Sequence, residues 1–101
     1  MTDATDVVAP PERGKTTISE RVLRKIAEYD AGRHHGVVAT RRVRARHHDR
    51  HVDIRMGLTL AYPMPAAETA HGVRLRVMSA LRRFTGYEVT DVDIVVSYER
   101  R

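Results

Sequence analysis

The sequence predicts an α+β fold: a small αββαβ two-layer sandwich in which a three-stranded mixed sheet carries two helices on one face. Two observations carry that prediction. The spacing of apolar residues changes from a 3.6-residue period to a 2-residue period after Gly36, back to 3.6 after Pro65, and to 2 again after Gly86. Each 2-period segment also alternates apolar with polar residues, so each strand has one wet side, and two helices cannot cover both faces of such a sheet.

Residues 1–14, MTDATDVVAPPERG, are polar, contain Pro10-Pro11 and show no apolar period, which reads as a disordered tail. Residues 15–101 then form one domain, large enough to bury one modest core. A short strand is expected near Thr16 to Ile18. In TTISERVLRKIAEYDAG, either Thr17 or Ser19 can cap a helix, and Glu20 follows Thr17 at the spacing of a capping box. Val22, Leu23, Ile26 and Ala27 give that helix an apolar stripe, and it closes before Gly32.

After Gly36, Val37, Ala39, Val43 and Ala45 share one strand parity while Thr40, Arg42, Arg44 and Arg46 share the other. Asp49-Arg50 is the expected hairpin turn. Val52, Ile54, Met56, Leu58, Leu60 and Tyr62 then alternate with His51, Asp53, Arg55, Gly57, Thr59 and Ala61, and a one-residue slip would expose all six apolar side chains. Pro63 ends that strand, and Pro65 suits the first turn of a second helix. That helix is expected to turn Ala66, Ala70, Val73, Val77, Leu81 and Phe84 inward, to leave Arg74, Arg76, Arg82 and Arg83 largely outward, and to stop at Gly86. Gly72 inside it costs about 1 kcal/mol against alanine, which close packing can offset. The last strand, YEVTDVDIVVSYE, should bury Val92, Ile94, Val96 and Tyr98 and expose Asp91, Asp93, Ser97 and Glu99.

A formal charge of +5 and a pI near 10.2 favour an anionic partner, whether nucleic acid, anionic lipid or an acidic protein. With no cysteine, there is no disulfide framework and no thiolate site. No apolar run approaches the roughly 20 residues of a membrane span, and the N-terminus lacks the layout of a signal peptide, so a cytoplasmic protein with only peripheral membrane contact is expected.

The alternation places Arg42, Arg44, Arg46 and Arg55 on the open sheet face. Two readings stay open: this stripe meets an anionic partner, or it pairs across strands with Asp53, Asp91, Asp93 and Glu99. His47, His48 and His51 near Asp49 resemble a metal cluster in composition only, because His47 and His48 point to opposite faces of a strand. No metal and no cofactor are expected. GRHHG, Gly32 to Gly36, is one residue too long for the GxxG clamp of a KH domain, and the outward parities carry no aromatic pair for stacking bases. Without a phosphate loop, a nucleophile elbow or a metalloprotease motif, no enzyme activity is expected.

Ile18, the helix Val22-Leu23-Arg24-Lys25-Ile26-Ala27, Gly36-Val37, the strand Val52 to Leu60, and Thr85-Gly86 followed by Val89, Val92, Ile94 and Val96 resemble the alkaline shock protein family of Gram-positive envelope stress response proteins. The resemblance covers residues 16–98. The chain departs from it at Tyr62-Pro63, where many members carry tyrosine-glycine, and in the arginine-rich first strand. It implies a non-enzymatic protein that self-assembles, contacts the inner side of the membrane through a small membrane-anchored partner, and supports the envelope under stress. The alternative is a small KH-like nucleic-acid binder that uses its arginines on phosphates.

Overall fold

The computed structural model describes Val7–Val8 and residues 17–99. Its elements are β1 (Val7–Val8), β2 (Thr17–Ile18), α1 (Glu20–Gly32), β3 (Val37–His48), β4 (His51–Leu60), α2 (Ala66–Thr85) and β5 (Glu88–Tyr98). The tail expected over residues 1–14 lies outside the described residues, apart from Val7–Val8. Those two pair antiparallel with Thr17–Ile18, which is the short strand expected ahead of the first helix.

β3, β4 and β5 form one mixed sheet in that order, β3 antiparallel and β5 parallel to the central β4. α1 lies against β3 and α2, and α2 lies against β5. The αββαβ sandwich is therefore the observed fold. Its core sits between the helices and the sheet, with Leu23 of α1, Ile54 and Leu58 of β4, and Val73, Val77 and Leu81 of α2 all at most 1% exposed. β4 alternates without a miss from His51 to Leu60. Tyr62 does not extend it: the strand has ended, and the ring is 77% exposed, edge-on to Tyr98.

Ser19 caps α1, its hydroxyl accepting from the Val22 N–H at 3.2 Å. Glu20, expected to close a capping box, instead accepts from the backbone N–H of His47 at 3.1 Å and so ties the start of α1 to the end of β3. Gly72 does mark a close approach. A methyl group there would sit 2.5 Å from Nε2 of His34, which follows α1.

Three expectations on α2 and its neighbours change. Phe84 is exposed, with the Arg83 guanidinium 4.8 Å above its ring; Tyr87, just past the helix, is buried at that end of the core. Arg74 and Arg76 are half-buried rather than outward: Arg74 Nε donates to the Val92 carbonyl at 3.1 Å, and Arg76 Nε lies 3.7 Å from the Asp30 carboxylate on α1. Tyr98, expected inside, is partly exposed, and its hydroxyl donates to the Met64 carbonyl at 2.7 Å.

Candidate functional site

The helix-free face of the sheet gathers most of the charge expected there, and bulges decide which residues reach it. β3 pairs with β4 as Val37 to Leu60, then Ala39 to Thr59, Thr40 to Leu58 and Arg41 to Gly57, and finally Arg44 to Arg55, Ala45 to Ile54 and Arg46 to Asp53. The register slips by one residue at Val38 and again at Arg42. Each slip moves subsequent side chains to the other parity.

Between the slips the expected faces are exchanged. Thr40 stands opposite core-facing Leu58, while Ala39 and Arg41 stand on the open side. After the second slip, Val43 and Ala45 are buried and Arg44 and Arg46 are exposed, as alternation predicts. Arg42 is the extra residue of the second bulge and has a positive φ, 51°, as the first residue of a G1 bulge does, a position glycine usually fills. Arg41 is therefore a member of the site that the pattern assigns to the core. The signal that could have found it is the cost of burying an unpaired arginine between Val37 and Val43.

β5 carries a slip of its own. Val52 pairs with Val89 and Asp53 with Asp91, which leaves Thr90 as the extra residue and explains why buried Val89 and Val92 are three apart instead of two. The Thr90 hydroxyl turns to β4 and donates to the Asp53 carboxylate at 2.6 Å.

Cross-strand pairing then sets the open face in rows. Arg46, Asp53 and Asp91 form one; Arg44, Arg55 and Asp93 the next; Arg41, Gly57 and Val95 the third. Of the expected residues, Arg44, Arg46 and Arg55 share this face with Asp53, Asp91 and Asp93, Arg42 reaches its groove from the bulge, and Glu99 lies past the end of β5, outside the rows. The charges on the face segregate. β3 is the cationic flank and β5 the anionic one. Among the described residues one salt bridge lies on this face, from Arg55 of the central β4 to Asp93 of β5, Nε to Oδ2 at 3.7 Å, with both side chains more than half exposed. Exposed pairs of this kind contribute about 0–1 kcal/mol. Arg41, Arg42, Arg44 and Arg46 have no ion-pair partner among the described residues.

Gly57 leaves the third row without a central side chain. The result is a groove of about 390 Å³ lined by Arg41, Arg42, Arg44 and Arg55 on one side and by Asp93, Val95 and Ser97 on the other. Val95, 70% exposed, is its apolar wall. A second hollow of about 280 Å³ lies over the Arg46 row.

No protein-family model matches the sequence, and no curated protein does. Solved structures of MamM CTD are similar in three dimensions. A triply substituted variant aligns with a TM-score of 0.68 at 17% identity, covering 79% of this chain and 95% of that one. The copper form gives 0.68 at 17% identity over 79% and 86%, and a substituted variant in its zinc form gives 0.67 at 17% over the same shares. The likeness is one of fold.

The histidines disperse. His47 is half-buried on the helical side, 3.5 Å from Glu20 and with its ring 5.9 Å from that of Tyr87, whereas His48 is exposed 3.9 Å from Asp49. Among the described residues no group of three or more histidine, aspartate or glutamate side chains is placed to hold a metal ion. No helix among them is long and apolar enough to cross a membrane.

Proposed function

We propose that the protein is a non-enzymatic interaction module of the envelope stress type, which works beside the membrane through the open face of its sheet, joining a small membrane-anchored partner and associating with itself. One observation carries the reading: the core is closed between sheet and helices, while the opposite face presents Arg41, Arg42, Arg44 and Arg46 without partners among the described residues. An exposed row of fork-shaped donors suits carboxylates or phosphates brought by another molecule. The resemblance of the α1, β4 and α2–β5 segments to the alkaline shock protein family supports the cellular setting.

A pull-down from solubilised membranes tests this. The wild-type chain should recover a membrane protein, and an Arg41, Arg44 and Arg46 to Ser variant should lose it; recovery by both, or by neither, counts against the reading. The same arginines make nucleic acid the competing partner, so a salt-dependent anisotropy titration belongs beside the pull-down. Binding of RNA or DNA tighter than about 10 μM at near-physiological salt would favour the phosphate-binding alternative.

A further inference from the structure

The rows of the open face differ in sign from flank to flank, and its middle column is already matched within the chain. Asp53 accepts from Thr90 at 2.6 Å, and Arg55 lies 3.7 Å from Asp93. Left over, among the described residues, are Arg41, Arg42, Arg44 and Arg46 on β3 and Asp91 on β5, together with an Asp93 that Arg55 holds only at salt-bridge distance.

We infer that this face takes a second copy of the same chain, with the two-fold axis running along β4, an inference that rests on reading the open face as an interaction surface. Rotation about that axis lays β3 of one copy over β5 of the other, row upon row. Arg46 then meets the other copy's Asp91, Arg44 meets its Asp93, and symmetry repeats both contacts. An axis running across the strands would lay β3 on β3 and β5 on β5, with like charges together on both flanks. The axis along β4 confines like against like to Asp53 and Arg55 of the middle column, which Thr90 and Asp93 already engage. Packed sheets sit about 10 Å apart, a gap that arginine and aspartate side chains span together. In the third row, Val95 of each copy comes over the groove floored by Gly57 and flanked by Arg41 of the other.

The size of the face sets the strength. Three strands about 4.8 Å apart and about ten residues long present a footprint on the order of 450 Å² per copy. That is at the small end for specific interfaces, where association is weak and reversible. The contacts at its flanks are exposed charges, so the dimer should loosen as salt rises.

Sedimentation of the full chain at low and high salt is the first experiment, and charge exchange is the decisive one. Arg46 and Asp91 make no ion pair inside the chain among the described residues, so Arg46→Glu and Asp91→Arg should each fold, which circular dichroism checks. Each single variant should self-associate about tenfold or more weakly than wild type, because its reversed charge meets a like charge twice. A mixture of the two variants should recover a heterodimer within about threefold of wild type, since both contacts between positions 46 and 91 are again between opposite charges. A neutral Arg46→Gln should fall between. A wild-type chain that stays monomeric to about 1 mM at low salt, or reversals that self-associate as wild type does, or a mixture no tighter than its components, would overturn the inference. A monomer that still captures a membrane partner through its arginines overturns the dimer and the self-association in the proposed function but leaves its membrane-partner reading standing, whereas a charge-sensitive dimer that captures nothing does the reverse.

Discussion

The backbone N–H of Ile18 donates to the hydroxyl of Tyr87 at 3.2 Å, joining the strand ahead of α1 to the start of the last strand, and both residues are buried. Tyr87 also lies under the Arg50 guanidinium, 5.3 Å from its ring centre, so one phenol fastens β2, the β3–β4 turn and β5 together. Tyr87→Phe keeps the ring and removes the acceptor. It should destabilise the fold by about 1–2 kcal/mol in denaturant unfolding and speed hydrogen exchange at the Ile18 amide, because a buried donor is left unpaired.

Arg42 holds a left-handed backbone at the second bulge of β3. Glycine adopts that conformation without a Cβ clash, whereas valine does not. Arg42→Gly should therefore be neutral or stabilising by up to about 1 kcal/mol, and Arg42→Val should cost about 1–3 kcal/mol, both read from denaturant midpoints.

His34 stands where a Gly72 side chain would go. With His34 in place, Gly72→Ala should give little net change or a loss, since the gain in helix propensity is opposed by the clash. In a His34→Ala background the same change should stabilise by about 1 kcal/mol, and a double-mutant cycle measures the difference.

The arginines of the open face should matter little to folding. Substituting Arg41, Arg44 and Arg46 by serine should shift stability by no more than about 0.5 kcal/mol each, read as the change in thermal midpoint. A larger loss would mean that these side chains support the sheet instead of facing a partner.

Much of this was legible in the sequence because two faces of unlike chemistry leave a strong pattern. β4 is central, packs one side on the helices and opens the other to water, so its side chains alternate cleanly from His51 to Leu60. What the pattern hid is the pair of slips in β3. The second cancels the first, so Val37, Val43 and Ala45 keep one parity and the strand looks unbroken, while Ala39, Thr40 and Arg41 between them are turned over. The single slip in β5 left a visible trace in the Val89 to Val92 spacing. Aromatic placement was harder, because Tyr62, Phe84 and Tyr98 fit the apolar period but lie at element ends, where the opposing layer has run out and the ring meets solvent.

The bulges of β3 also bear on how copies of this chain can accumulate. A strand templates another through a straight ladder of unpaired N–H and C=O groups, and endless growth of a sheet needs such a ladder on both outer edges. Here one edge is kinked at Val38 and at Arg42. A stack that adds strands side by side is therefore interrupted at that edge, so crowding should not draw the chain into fibres by that route.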